Sequence, residues 1–383
     1  MTDAMRDPDP SPDIPEPTLH DTARPPETPD VAASAGAPHA IESAGSDIET
    51  STRPRRLWPG VLLWSAVCVL YLLLEAAGVV EGLAFVVPLV AALVAARVVD
   101  ARREIRRLAR LATWAAAVVA TPLAIAVWRY HVGIQGLPWP ALGAALIAIA
   151  AGMTVCAVRR VRALLVRPLG LDPDSAVHVV TAVAAALTIS TSVVLFSELQ
   201  QEPDEPVRFY FSDSVVSVLS DVTLALAGVG FLLTRGARDA RLRLGLRAIG
   251  LRQVALAAVL AGLFLGVVGM MEHLEAIWLP QMHALEDRFD YDFVGMPAWI
   301  GALLLSLSAG IGEELVFRGA LQPRVGIVMT SMLFAAGHVQ YQLAGILMIF
   351  VVAVGLGIVK QRTSTTFTVV LHVLYDVGAF FIP

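Results

Sequence analysis

Apolar residues run through this chain in blocks of about twenty, separated by short segments dense in arginine or carboxylates. A block of that length is what a helix needs to cross a hydrocarbon core about 30 Å thick. Eleven spans are predicted on this rule, over residues 57–78, 82–99, 109–130, 139–158, 175–197, 214–234, 253–272, 297–317, 325–342, 343–359 and 364–382. The tightest predicted turns are 78–82 and 342–343.

The polar segments differ in sign. Cytoplasmic loops retain positive charge, so the Arg53–Arg56 cluster places the N-terminus and every even-numbered connection inside. Together these hold 23 basic residues: that cluster, Arg97–Arg110, Arg159–Arg167, Arg235–Arg252, Arg318 with Arg324, and Lys360 with Arg362. The opposite connections hold Arg129, Arg208 and Arg288, in acidic loops. Trp139, Trp278 and Trp299 fall near those outer ends, as an interfacial aromatic belt does. The predicted orientation has the N-terminus in the cytoplasm and the C-terminus outside, which requires an odd number of spans.

Composition agrees. At 56% hydrophobic and 16% charged, with a mean hydropathy of +0.69, the 383 residues are too apolar for a soluble protein. The expected fold class is all-α, a polytopic transmembrane helix bundle. The first fifty residues carry eleven Asp or Glu, nine Pro and no aromatic residue, so residues 1–52 are predicted to be a disordered, acidic, Pro-rich cytoplasmic tail. That tail has no apolar signal-peptide core, and the first span is expected to act as its own uncleaved anchor. Residues 53–272 then supply about seven N-terminal spans and residues 295–383 a further four. Cys68 and Cys156 lie in different apolar runs and are read as small buried hydrophobes. A single lysine, Lys360, among 28 basic residues suggests a GC-rich bacterial genome, hence the cytoplasmic membrane of a bacterium.

The last four spans break the apolar rule. A charged group at bilayer depth costs roughly 3 kcal/mol on insertion scales, so ionisable residues there mark functional sites by default. Three clusters qualify: Gly312–Gly319 (GEELVFRG), the segment around His338, and Leu371–Asp376 (LHVLYD). At about 1.5 Å per residue from a cytoplasmic edge near Pro323 or Arg362, Glu313 and His372 lie about 15 Å deep, and His338 and Asp376 about 21–22 Å deep. Groups at one level are expected to face each other rather than lipid. Glu314 and Arg318 are four apart and can pair on one helix face, leaving Glu313, about 100° away, to point toward the histidines. His372 and Asp376 share a face by the same spacing, as do Phe334 and His338. A carboxylate in apolar surroundings is a candidate general base, and imidazole or an Asp side chain can stabilise a developing oxyanion. By contrast Glu75, Asp221 and His178 are lone groups in early spans, expected to pair locally or reach the interface.

EELVFR, FAAGH and HVLYD resemble, in order and spacing, the EExxxR, FxxxH and HxxxN/D motifs of the CPBP family of intramembrane proteases, which includes the eukaryotic CAAX prenyl endopeptidases and bacterial bacteriocin-immunity proteins. The resemblance covers about residues 295–383. It implies that Glu313 activates water, with Glu314 and Arg318 as structural neighbours, that His338 is its catalytic partner, and that His372 and Asp376 form the oxyanion side. Asp376 departs from the Asn of the prenyl endopeptidases and adds a negative charge where a donor is needed.

The resulting expectation is an endopeptidase acting on a membrane-associated protein or peptide, with no cofactor and no nucleic-acid partner. Zinc held by Glu313, His338 and His372 is the alternative for water activation, since two histidines and a carboxylate make a three-ligand site. Two other readings use the same residues: a proton-coupled transporter or channel with a buried Glu/His/Asp relay, and a catalytically silent immunity or scaffold protein.

Overall fold

The computed structural model describes residues 57–102, 159–199, 207–286, 291–338 and 341–381. The predicted spans 109–130 and 139–158, the tail over 1–52 and Cys156 lie outside them. Helices, in chain order, are α1 (Leu57–Ala76), α2 (Val87–Ala101), α3 (Arg159–Val166), α4 (Ala176–Leu199), α5 (Phe211–Val229), α6 (Ala237–Arg243), α7 (Leu251–Trp278), α8 (Pro280–Glu286), α9 (Ala298–Glu313), a π-helix over Glu314–Leu321, α10 (Gln322–Ala336), α11 (Leu343–Arg362) and α12 (Thr365–Phe381). Two three-residue strands, β1 (Val207–Phe209) and β2 (Tyr291–Phe293), pair in parallel with Val207 opposite Tyr291.

The fold is a helical membrane bundle. Leu57–Ala76, Phe211–Val229, Leu251–Trp278, Leu343–Arg362 and the 39-residue run Ala298–Ala336 are long and apolar enough to cross a membrane, and Ala176–Ile189 and Thr365–Phe381 are shorter apolar helices. Their outward faces are apolar: Leu62 and Leu73 on α1, and Leu251, Val259 and Leu263 on α7, are all well exposed. Faces of that kind belong against lipid rather than water.

The run Ala298–Ala336 is two legs rather than one rod. Phe317 and Phe334 are 17 residues apart, which a continuous helix would separate by about 25 Å, yet their ring centroids lie 5.1 Å apart. The chain reverses at Gly326, whose backbone (φ 77°, ψ 174°) falls in a region open essentially to glycine alone. Pro323 sits just upstream, in the first turn of α10, where its missing N–H costs nothing.

Packing centres on α9. Helix α9 lies against α5 and α12, the π-helix against α5, α10 and α12, α7 along α12, and α10 along α11. Small residues allow the close approaches. A Cβ at Gly310 would meet Val373 of α12 at 2.5 Å, and one at Gly312 would meet the Asp221 carboxylate of α5 at 2.4 Å. On the far side, α1, α2 and α5 bury Trp64, Tyr71, Val90 and Ala227 together. The Tyr71 hydroxyl there hydrogen-bonds Thr223 Oγ1 at 2.6 Å.

Arginines close one end of α5. Arg97 of α2 and Arg324 of α10 both donate to the Gly228 carbonyl, and Arg235 donates to that of Val229 at 2.7 Å. The C-terminal carbonyls of a helix have no partner within it and carry its negative dipole end, so three guanidinium groups satisfy and pin it.

Candidate active site

The clusters on three helices meet. Glu313 ends α9, Glu314 and Arg318 lie on the π-helix, Phe334 lies on α10 with His338 just beyond its end, and His372 and Asp376 lie on α12. Glu314 and Arg318 are fully buried, with Glu314 Oε2 3.6 Å from Arg318 Nε. The other face of the guanidinium lies over the Phe334 ring, 4.9 Å from its centroid. Arg318 is thus held by one carboxylate and one aromatic face, and its nitrogens make no hydrogen bond among the described residues.

Glu314 has a second partner that spacing alone did not indicate. Its Oε1 accepts a hydrogen bond from His372 Nδ1 at 3.1 Å. The other ring nitrogen, Nε2, faces Glu313 Oε2 at 3.9 Å and Asp376 Oδ2 at 3.5 Å. His372 is therefore clamped among three carboxyl groups. Glu313 and Asp376 keep 23% and 21% of their side-chain surface exposed, against none for Glu314.

The second histidine is held differently. Its Nδ1 lies 2.8 Å from the Phe334 carbonyl oxygen. A carbonyl can only accept, so Nδ1 carries the hydrogen and a neutral ring presents Nε2 as an acceptor. Phe334 packs against both rings, at 4.9 Å from His338 and 6.0 Å from His372. The aromatic four residues before His338 therefore spaces the two imidazoles and covers the arginine.

Two site neighbours were not anticipated. Asp221 was expected to pair locally or reach an interface, as Glu75 and His178 do: Glu75 accepts from the Gly82 and Ala84 N–H groups, and His178 Nδ1 accepts from the Asp172 N–H. Asp221 instead lies against Gly312 and feels the charge of Glu313. Tyr291 of β2 packs on Phe380, one turn beyond Asp376, at 6.1 Å. Burial first, and then the Asp376 and Glu313 charges, raise its phenol above the ordinary value, so it remains a protonated donor beside the site at neutral pH. The signal for Asp221 was a carboxylate inside an apolar run, which sequence alone could not tell from Glu75.

Among the described residues no group of three or more His, Cys, Asp or Glu side chains is arranged to hold a metal ion. Neither a curated protein nor a solved structure matches the chain. Residues 295–378 do match a family model, that of the type II CAAX prenyl endopeptidase Rce1-like proteins, a match that supports a CAAX-type intramembrane endopeptidase in general. The stretch holds every clustered side chain described above except Asp221 and Tyr291, and over it the resemblance to the CPBP and CAAX family of intramembrane proteases drawn from the three motifs is borne out.

Proposed function

We propose that the protein hydrolyses a peptide bond of a membrane-associated protein or peptide, with a water molecule activated by Glu313 and assisted by His338. The observation that carries this reading is the contrast within the glutamate pair. Glu314 is enclosed by Arg318 and His372, whereas Glu313 is part-exposed next to a histidine, in helices of the bundle.

In the proposed reaction Glu313 takes a proton from water while His338 Nε2 accepts a hydrogen bond from the O–H that the water keeps. The oxygen adds to the scissile carbonyl carbon, and the negative charge on the carbonyl oxygen falls on the His372 and Asp376 side. As the C–N bond breaks, a proton returns from the site to the leaving nitrogen. Asp376 serves as an oxyanion donor only while it carries a proton itself. No step requires a metal. The zinc alternative would draw on Glu313, His338 and His372.

An orientation with the Arg-rich ends in the cytoplasm belongs to the same proposal. Its support is that Arg97, Arg235 and Arg324, from three connections assigned to one side, converge on the end of α5. The pairing of β1 with β2 likewise joins two loops assigned to the other side.

The test is cleavage of a pool of membrane-anchored peptides by purified protein in liposomes, comparing wild type with Glu313→Ala and His338→Ala, with and without chelator. Loss of product by about 100-fold or more in both variants, with activity retained in chelator, is expected. Loss in chelator as well would favour the zinc version. Equal behaviour of all three proteins with the fold intact would remove proteolysis and turn attention to proton flux or a silent scaffold.

A further inference from the structure

The segment that matches the family model ends its account of the site at α9, α10 and α12, yet the wall opposite α12 is built by α5, outside that segment. Gly310 faces Val373 of α12 and Gly312 faces Asp221 of α5. Two residues along a helix are about 200° apart, so α12 and α5 flank α9 from opposite sides. Glu313 lies about 60° from the direction of Gly310 and about 100° from that of Gly312, and so projects into the gap between the two flanking helices. On its α12 side stand His372 and Asp376, and on its α5 side stands Asp221.

Asp221 is an isolated group for its location. It is half-buried in a membrane-length apolar helix. Among the described residues it makes no hydrogen bond or ion pair, and the charge that acts on it is that of Glu313. A carboxyl group kept inside such a helix without a structural partner is costly, and groups of that kind mark functional sites by default. Its placement is also fixed. Gly312 leaves no Cβ where the carboxylate sits, and seven residues on, the Gly228 carbonyl is held by Arg97 and Arg324.

We propose that Asp221 is a further catalytic residue of the site, the general acid that protonates the leaving nitrogen. The inference rests on the proteolytic reading above and refines one step of it. Glu313 takes a proton from water as the C–O bond forms, and the protonated Asp221 carboxyl gives its proton to the amide nitrogen as the C–N bond breaks. One proton then passes from Glu313 to Asp221, which restores both groups. Two nearby carboxyl groups that divide the acid and base roles in this way need only one proton between them. The oxyanion side is then α12 and the leaving-group side α5, so the upstream helices take part in the chemistry as well as in the scaffold.

A general acid matters when the leaving group is poor, which separates this role from a structural one. The experiment compares a membrane-anchored peptide with the same sequence carrying an ester at the scissile bond, using wild type, Glu313→Gln, Asp221→Asn and Asp221→Glu in liposomes. Asp221→Asn is expected to lower kcat on the amide by about tenfold or more, with KM within about twofold, while the ester is cleaved near the wild-type rate. Asp221→Glu is expected to restore part of the amide rate. Equal losses on amide and ester, or no loss on either while Glu313→Gln is inactive, would overturn the acid role alone. A wild type that cleaves neither substrate, or a Glu313→Gln variant as active as wild type, would overturn the proteolytic reading and this one with it. Thermal unfolding in detergent, run on each variant, identifies any loss that comes from misfolding, and in that case the Asp221→Glu amide-to-ester ratio decides.

Discussion

The charge cluster has an enclosed region and an open one, and its two adjacent glutamates fall on opposite sides of the divide. Glu314 and Arg318 have no exposed surface, and their partners are an aromatic face and a histidine. Glu313 and Asp376 remain about a fifth exposed, and both approach a single imidazole nitrogen at distances longer than a close hydrogen bond. A charge in the enclosed region cannot exchange partners without being left bare in an apolar medium, which costs several kcal/mol. A charge in the open region can exchange one hydrogen-bonding neighbour for another as water or substrate arrives. The enclosed region therefore sets geometry and the open region is free to react, although the glutamates of both are neighbours in one short motif.

The sharpest way to break this comparison is to remove one member of the enclosed pair. Arg318→Met should lower stability by about 3–5 kcal/mol, because Glu314 is left buried with its main counter-charge gone. Unfolding of the purified variant in detergent mixtures measures this, and a stability within about 1 kcal/mol of wild type would show that the enclosed pair is not what holds the site together.

Gly326→Ala tests whether the open region depends on the chain reversal that carries Phe334 back over Arg318 and His338 with it. An alanine in that backbone conformation costs about 1–3 kcal/mol. Stability should fall by that amount and cleavage should fall with it, whereas a full loss of activity at unchanged stability would place the effect elsewhere.

The smallest effect is expected from Asp376→Asn, which exchanges an acid for a donor of the same shape in the open region. Its unfolding midpoint should stay within about 1 kcal/mol of wild type, as partly exposed substitutions do, and its cleavage rate within about threefold. A loss as large as that of Glu313→Ala would mean that the carboxylate itself is required at 376, and the assignment of Asp376 as an oxyanion donor would have to be abandoned.

Much of the architecture was legible because length and apolarity decide what crosses a bilayer. The predicted spans from 57–78 to 364–382 that fall within the described residues each coincide with a helix. Boundaries were less legible where a side chain intervenes. The expected turn at 78–82 becomes a longer connection because Glu75 folds back to cap the N–H groups of Gly82 and Ala84. The expected break at 342–343 comes earlier, since α10 ends at Ala336 before Gly337. Within the site, three-and-four spacing indicated which groups share a helix, and it paired Glu314 with Arg318. It assumed 3.6 residues per turn, whereas Glu314–Leu321 is a π-helix, a local widening often found at functional sites. The contact of Glu314 with His372 across 58 residues, and of Asp221 with Gly312 across a longer stretch still, depends on helix packing that no local pattern encodes.

The pairing of α7 with α12 bears on the membrane itself. Helix α7 has 28 residues and α12 has 17, which at 1.5 Å per residue gives lengths of about 42 Å and about 25 Å. A hydrocarbon layer about 30 Å thick is too thin for the first and too thick for the second, and the two lie side by side. The longer helix must lean or project beyond the layer, and next to the shorter one the lipid has to thin or bring its headgroups inward. The shorter helix is the one that carries His372 and Asp376, so a thinned layer would lie beside the residues that the proposed reaction brings to water.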